Sequence, residues 1–331
     1  MSCGLARWVR AVLAVLAPLA FAACASAGDE SISIDWQGQT RTAQVHVPDR
    51  QATGRLLPVV LMLHGGGGSA GGAARETGWV AKAEREGFIV VFPNALARDP
   101  SRRSSFAANP QLWNDGSDRF HPGQSGADDV GFIAALLDRL AQRHRIDVDR
   151  VFVTGFSNGG SMSFKVGAEL ATRVAAIAPV AGALWFDPGT LARPVPMLYL
   201  TGDADPLNPI DGGVPRLAHG GGGDALRAKA KPPVRQSVLA WAAAVGCAPE
   251  RFGTVTVDGV RTETCRPGAA GAEVVFVTVA GLGHTWAGGR SLLPAWLVGP
   301  TVDSPRATDL IWAFFERHPR RGPRTSGAAG N

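Results

Sequence analysis

The stretch VFVTGFSNGG at residues 151–160 decides the fold of this chain. An apolar run of strand composition leads into GFSNG, and a segment of helical composition, SMSFKVGAELA, follows. GFSNG matches G-x-S-x-G, a pattern in which a strand turns sharply into a helix and lifts a serine above the edge of a parallel sheet. Gly155 and Gly159 suit such a turn, because side chains there would collide within it. The stretch predicts an α/β fold with Ser157 as a candidate nucleophile; the alternative is that Ser157 is only a turn residue.

Strand and helix patterns alternate along most of the chain. Apolar runs that predict strands lie at 57–63, 88–93, 151–154, 174–180, 195–200 and 273–279. Helical patterns lie at about 78–86, 129–142, 234–244 and 309–318. Period-two alternation around a turn predicts antiparallel hairpins at 31–47 and 254–264. Nearly all-apolar strands that alternate with helices are typical of a mostly parallel sheet with helices on both faces.

No break in this alternation divides the 331 residues, so we predict one domain over residues 28–318. An apolar fraction of 45% with 18% charged residues argues against overall disorder. Segments 94–126 and 205–233 are irregular in composition and are predicted to be loops over a cleft. Residues 319–331 are polar and glycine-rich, which predicts a disordered tail.

The N-terminal segment has the pattern of a secretory signal peptide. Arg7 and Arg10 precede an apolar run, and Ala25 and Ala27 are the small residues expected before a cleavage site. We therefore predict a signal peptide at 1–27 and a secreted or periplasmic protein without a stable membrane span. The alternatives are an uncleaved membrane anchor and a lipoprotein whose lipid anchor is attached at Cys24.

The net charge of +5 does not indicate a nucleic-acid partner. Two of the positive charges lie in the N-terminal segment, and four arginines lie at the other end of the chain: Arg317, Arg320, Arg321 and Arg324. Residues 28–316 therefore carry a net charge of about −1, so the charge does not indicate a basic patch for a nucleic acid.

Two cysteines, Cys247 and Cys265, lie outside the N-terminal segment. An even pair in an exported protein favours a disulfide bond, and the alternative is two buried thiols.

A hydroxyl is a weak nucleophile at neutral pH, so a catalytic Ser157 requires a base and an acid that orients the base. In a sheet of this type the acid and then the histidine follow the serine along the chain, each on a loop after a strand. His284 in AGLGHTWAGG follows the last predicted strand and is the candidate base.

The acid has two close candidates, Asp203 and Asp205, in TGDADPLNP after the strand VPMLYL. Asp205 is preferred because Asp203, beside Gly202, suits a turn. Asp187 is a weaker alternative.

The glycine run HGGGG at 64–68 follows a strand and offers backbone N–H groups for an oxyanion, and Asn158 after the nucleophile offers another. A flexible loop and a phosphate cradle are the alternatives, but the Lys-Ser/Thr pair of a P-loop is missing. The histidines lack short metal-ligand spacing, and the glycine run lacks the downstream acid of a dinucleotide site. The predicted chemistry needs neither a metal nor a cofactor.

Two tryptophans, Trp113 in QLWNDG and Trp286 beside the candidate base, lie on predicted cleft loops. Each could line a substrate pocket or anchor its loop in the core, and the sequence does not separate these roles. Asp128 and Asp129 are expected to cap the following helix rather than to act in catalysis.

A set of motifs occurs in order along the chain: LMLHGGGG, FPNA, WNDG, DDVGFI, VFVTGFSNGG, TGDADPLNP, GHTWAGG and IWAFFERHPR. From about residue 31 to residue 318 the chain resembles the secreted polyhydroxybutyrate depolymerase-like esterases, which are similar to feruloyl and acetylxylan esterases. The resemblance implies an α/β-hydrolase fold and serine esterase activity. The implied site residues are Ser157 as nucleophile, Asp205 as acid, His284 as base, and oxyanion N–H groups near Gly65 or Gly66 together with Asn158. Where the family often has GHxWPGG this chain has Ala287 in place of proline, which affects the expected loop shape.

The sequence therefore predicts an exported carboxylic ester hydrolase with a small-molecule or polymeric ester as substrate, most closely a hydroxyalkanoate oligomer. Feruloyl or acetylxylan ester cleavage is the alternative within that class. A serine peptidase would use the same triad, and a noncatalytic binding protein on a hydrolase scaffold is the rival from another class. The serine, acid and histidine at three predicted strand ends speak against the noncatalytic alternative.

Overall fold

A ten-stranded sheet forms the centre of the protein. The computed structural model describes residues 28–49, 54–118, 126–215, 230–268 and 271–320. The strands are β1 (Gly28–Trp36), β2 (Gln39–Val47), β3 (Leu57–Leu63), β4 (Ile89–Pro93), β5 (Leu96–Ala97), β6 (Gln111–Leu112), β7 (Ile146–Phe156), β8 (Ala176–Val180), β9 (Met197–Gly202), β10 (Phe252–Val257), β11 (Val260–Cys265) and β12 (Val274–Val279). β5 and β6 pair with each other in a small separate ribbon.

The middle of the large sheet is parallel and carries the candidate site at one edge. Its six parallel strands are ordered β4-β3-β7-β8-β9-β12. The carboxyl ends of parallel strands meet at one edge of a sheet, so the loops after β3, β7, β9 and β12 come together there. The fold class predicted from the strand and helix alternation is confirmed.

Antiparallel hairpins extend the sheet at both sides, β1-β2 beside β4 and β10-β11 beside β12. Each hairpin closes with two residues of positive φ, Gln37 and Gly38 in the first and Asp258 and Gly259 in the second. Two-residue hairpin turns of this kind match the right-handed twist of the strands. Both predicted hairpins are confirmed.

Helices cover both faces of the sheet. They are α1 (Ala70–Thr77), α2 (Trp79–Glu86), α3 (Asp129–Arg143), α4 (Asn158–Glu169), α5 (Val234–Ala244), α6 (Ala295–Val298) and α7 (Ala307–Glu316). Side chains of α3, α4 and α5 bury one face, and those of α1, α2 and α7 bury the other. Along β3, Leu61 faces the first core and Met62 the second, as expected for a strand buried on both sides.

The first helix was not predicted. α1 has the sequence AGGAARET, and its two glycines have low helix propensity. Its N-terminus is capped by Ser69, whose hydroxyl accepts a hydrogen bond from Gly72 N–H, and Gly78 with φ of 71° separates it from α2. Packing and capping thus stabilise a helix that composition alone does not indicate. Asp128 caps α3 as predicted, because its side chain accepts from Gly131 N–H at 2.8 Å.

Cys247 and Cys265 form the predicted disulfide, with a Cα–Cα distance of 6.2 Å. The bond joins the segment after α5 to the end of β11. Among the described residues, no helix has the length and apolar character that crossing a bilayer would require. The predicted signal peptide at 1–27, with Cys24, and most of the predicted tail at 319–331 lie outside the described residues.

Candidate active site

Ser157 lies in a strained turn between β7 and α4. Its φ of 55° and ψ of −115° are unusual for a residue with a side chain. A Cβ on Gly155 would lie 2.2 Å from Gly159 O, and one on Gly159 would lie 2.2 Å from Leu63 O. Only glycine fits at either position, so the backbone of β3 and the start of α4 approach closely enough to hold Ser157 above the sheet edge.

Three predicted side chains form a hydrogen-bonded chain at this edge. His284 Nε2 lies 2.8 Å from Ser157 Oγ, and His284 Nδ1 lies 2.7 Å from Asp205 Oδ2. His284 and Asp205 are only 6% and 5% exposed, so water competes weakly for their hydrogen bond. With Nδ1–H donated to the carboxylate, Nε2 is free to accept the proton of Ser157.

Asp205 is held as a carboxylate acceptor by its surroundings. Its Oδ1 accepts from Leu207 N–H at 2.8 Å and from Asn208 N–H at 2.7 Å. Burial on its own raises the pKa of the Asp205 carboxyl, but the charge and hydrogen bond of His284, together with Lys231, outweigh it and hold the pKa below its ordinary value. The group therefore stays ionised at neutral pH.

The acid and base loops meet because their strands β9 and β12 are parallel neighbours. Ala204 N–H donates to Leu282 O at 3.2 Å, and a Cβ on Gly202 would lie 1.9 Å from the same oxygen. Asp203 instead faces outward and accepts from Gly281 N–H at 2.7 Å, which is the turn role expected for it. The carboxylate that contacts His284 is that of Asp205.

The glycine run after β3 lies beside Ser157. A Cβ on Gly65 would be 3.5 Å from Ser157 Cβ, and one on Gly66 would be 3.6 Å from Asn158 Cβ. Asn158 is the first residue of α4, so its backbone N–H has no partner within the helix. The predicted N–H groups of Gly65, Gly66 and Asn158 therefore belong to backbone that surrounds the serine.

His64 supports this loop with both ring nitrogens. Its Nε2 accepts from Ala95 N–H at 3.1 Å, which leaves the proton on Nδ1 to donate to Gly65 O at 2.7 Å. Complete burial lowers the pKa of His64 to about 4, so the ring is neutral at physiological pH. The supporting role of His64 was not predicted from the sequence, and its position directly before the glycine run was the only signal that could have indicated it.

The two candidate substrate-binding tryptophans are both buried. Trp113 is 2% exposed and donates its indole N–H to His64 O at 2.9 Å, which favours the loop-anchoring alternative. Trp286 is 3% exposed, donates to Thr308 Oγ1 at 3.0 Å, and lines a small cavity that His284 and Phe156 also line. A role of Trp286 in substrate binding stays a prediction.

A buried ion pair was also missed, and the expected capping role of Asp129 is wrong because its carboxylate forms this pair while Asp128 alone caps α3. Arg41 donates to Asp129 Oδ1 at 2.6 Å, and Asp129 Oδ2 accepts from Asn114 N–H at 2.7 Å. Arg41 lies on β2 and Asp129 on α3, 88 residues apart, so no local pattern indicates the contact. Among the residues described here, no group of three or more His, Cys, Asp or Glu side chains is arranged to hold a metal ion.

Comparison with known proteins places the chain in a family. The model of the family described as esterase PHB depolymerase matches residues 42–224, more than half of the chain. The chain belongs to the esterase PHB depolymerase family. This membership confirms the predicted relationship and the enzyme class, an esterase that hydrolyses carboxylic esters.

Individual relatives agree with the family. NocK of Nocardia uniformis subsp. tsuyamanensis, a protein named as an esterase, is 32% identical over 292 residues, which cover 84% of this chain and 80% of NocK. The bifunctional acetylxylan esterase/xylanase XynS20E of Neocallimastix patriciarum is 27% identical over 169 residues, which cover 51% of this chain and 22% of that protein. Other relatives are named feruloyl esterase and poly(3-hydroxyalkanoate) depolymerase.

Among solved structures, the acetyl xylan esterase from Aspergillus awamori superposes on this chain with a TM-score of 0.56. The match covers 87% of this chain and 99% of the acetyl xylan esterase. Because the two sequences are only 16% identical, this structural similarity supports the α/β-hydrolase fold and not a shared substrate.

Proposed function

We propose that this esterase acts through a Ser157–His284–Asp205 triad and an acyl-enzyme. The observation that carries the proposal is the continuous pair of hydrogen bonds from Asp205 through His284 to Ser157 Oγ, 2.7 and 2.8 Å long. The strained backbone at Ser157 adds support, because nucleophiles of this fold occupy such a turn.

The mechanism follows from the geometry. His284 Nε2 takes the proton of Ser157 as Oγ attacks the ester carbonyl, and Asp205 stabilises the resulting imidazolium. The negative oxygen of the tetrahedral intermediate is bound by the N–H of Asn158 and by that of Gly65 or Gly66. His284 then donates its proton to the leaving alcohol, and water, deprotonated in turn by His284, releases the acyl group and restores Ser157.

For the substrate we propose hydroxyalkanoate oligomers, in agreement with the description of the family whose model matches. Esters of acetylated xylan are the second candidate, favoured by the relative XynS20E. Feruloyl esters remain the third, since a relative carries that name. All three are carboxylic esters that the same triad attacks. The choice among them therefore depends on which acyl group and which alcohol group the binding pocket accepts.

A hydrolysis panel tests the mechanism and the substrate together. The substrates are 3-hydroxybutyrate oligomers, methyl ferulate, acetylated xylan and short p-nitrophenyl esters. Ser157→Ala should abolish turnover of every one, whereas Ser163→Ala, which removes a buried hydroxyl bonded to Gly159 O in the same helix, should retain it. Persistent turnover by folded Ser157→Ala contradicts the triad, and a preference for ferulate or acetylated xylan changes the substrate but not the mechanism.

Two further assays address the rival classes. A peptide anilide is compared with a short acyl ester, because a serine peptidase would turn over the amide strongly. A serine-directed phosphonate should label Ser157 covalently. Tight ligand binding without labelling or turnover would favour a noncatalytic binding protein.

We also propose that the protein is exported, to the periplasm or the medium. The disulfide between Cys247 and Cys265 supports this, since such bonds persist in oxidising compartments. Mass spectrometry of the protein from its native host should find an N-terminus at Gly28. A diacylated N-terminus at Cys24 would indicate a lipoprotein instead, and an intact Met1 in the cytoplasm would contradict export.

A further inference from the structure

The carbonyl oxygen of the His64–Gly65 peptide unit accepts a hydrogen bond from the side chain of Trp113. The indole N–H of Trp113 donates to His64 O at 2.9 Å. In a planar trans peptide the C=O of one residue and the N–H of the next point in opposite directions. The bond to His64 O therefore sets the direction of Gly65 N–H, which is one of the candidate oxyanion donors.

The side chain of Asn158, the residue after the nucleophile, holds the backbone of Trp113 through two hydrogen bonds. Trp113 N–H donates to Asn158 Oδ1 at 2.8 Å, and Asn158 Nδ2 donates to Trp113 O at 3.1 Å. Asn158 Nδ2 also donates to Asp115 Oδ2 at 2.8 Å. Both N–H groups and the oxygen of the Asn158 side-chain amide thus take part in holding this segment, while its backbone N–H lies at the start of α4.

The segment before Trp113 follows the glycine run in space. Gly67 N–H donates to Gln111 O at 2.8 Å, and a Cβ on Gly66 would lie 3.0 Å from Leu112 Cδ2. The ring of Trp113 lies 5.2 Å from the ring of His64, centroid to centroid. The glycine run is therefore held in place by the segment 111–113 that packs against it, although its composition favours flexibility.

We propose that Trp113 is a positioning residue that joins the two halves of the oxyanion hole. Its indole orients the peptide unit that carries Gly65 N–H, and its backbone is held by the side chain of Asn158, whose own N–H is the second donor. The inference rests on the proposed triad mechanism and replaces direct substrate contact as the role of Trp113. Preorganised donors act on the developing oxyanion rather than on the ground-state carbonyl, so a loss of alignment lowers kcat and leaves KM unchanged.

The test is Trp113→Phe, which keeps an aromatic ring and removes the indole donor. The matched control is Trp241→Phe, because Trp241 is equally buried and donates its indole N–H to Val195 O at 3.0 Å in the core under α5. Removing an oxyanion donor outright costs about 100- to 1,000-fold in kcat, so misaligning one should cost about 10- to 100-fold. Trp241→Phe should lower thermal stability comparably and leave kcat within about threefold of the wild type, since it removes no contact to the donors.

An arylboronic acid supplies a second readout, since it adds to the serine and places a negative oxygen in the oxyanion hole. Its inhibition constant should weaken in Trp113→Phe by about the factor lost in kcat, with KM unchanged. Replacing the indole N–H of Trp113 by sulfur in an isosteric tryptophan analogue should give the same loss without a cavity. The inference is overturned if Trp113→Phe or the protein with the sulfur analogue at position 113 keeps the wild-type kcat. It is also overturned if Trp241→Phe loses as much kcat as Trp113→Phe. If Ser157→Ala is active, the proposed function and this inference fail together; if it is inactive while Trp113→Phe is unimpaired, only the inference fails.

Discussion

Replacing Asp205 by Asn tests the triad with a change of one non-hydrogen atom, a carboxylate oxygen that becomes an amide NH₂. In Asp205→Asn, the amide oxygen can still accept from Leu207 and Asn208, so the loop should keep its shape. The amide NH₂ then faces His284 Nδ1, where the carboxylate accepted a hydrogen bond. The ring responds by carrying its proton on Nε2, which points at Ser157 Oγ and can no longer accept a proton from it.

The expected loss follows from this tautomer change. In a Ser-His-Asp triad the wrong tautomer lowers kcat by about 10⁴-fold. At about 1.4 kcal/mol per factor of ten, this raises the activation free energy by roughly 5 kcal/mol. The charge that would stabilise the imidazolium is also lost, so the two effects act in the same direction.

The assay is kcat for a short p-nitrophenyl ester near pH 7.5, with thermal unfolding of each variant measured in parallel. Asp203→Asn is the matched control, because Asp203 is exposed and its Oδ1 accepts a hydrogen bond from Gly281 N–H in the turn rather than from His284. The control should stay within about threefold of the wild type, as is usual for a surface position away from the reacting groups. A folded Asp205→Asn enzyme within tenfold of the wild type would refute the assignment, and so would an equal loss in Asp203→Asn.

Two further predictions concern stability. The pKa of His64 falls from 6.5 in the unfolded chain to about 4 when folded, so the unfolded state binds the proton more readily and stability is full above pH 6.5. Between pH 6.5 and 4 the free energy of unfolding, measured with urea at each pH, should fall by up to about 1.4 kcal/mol per pH unit. In His64→Asn, which keeps a donor to Gly65 O, this free energy should fall less steeply with pH. An equally steep fall in the variant contradicts the prediction. Replacing Cys247 and Cys265 together by serine removes a bond between residues 18 apart, which should cost about 3 kcal/mol of stability with kcat retained; calorimetry showing an unchanged melting temperature would disagree.

The local elements were largely predictable because their patterns are short-range. The apolar run 57–63 is β3 without a shift in its ends, and residues 234–244 are α5. β7 extends to Ile146–Phe156, beyond the predicted 151–154. At its start Ile146 pairs with Leu57 of β3 ahead of an irregularity in the register, and at its end Gly155 and Phe156 pair with β8. α1 escaped prediction because its glycines weaken the helical pattern that packing against β4 and β2 restores.

The sequence by itself determined the fold class, the family and the candidate nucleophile, because a strand, a G-x-S-x-G turn and a helix are contiguous in the chain. The sequence favoured Asp205 over Asp203 as the acid, but only the tertiary structure shows that the carboxylate of Asp205 contacts His284, a residue 79 positions away along the chain. It also placed Trp113 behind the glycine run rather than in an open cleft. Both results depend on hydrogen bonds between segments far apart in the sequence, which come together only when the strands have assembled into one sheet, and no local sequence pattern encodes those contacts.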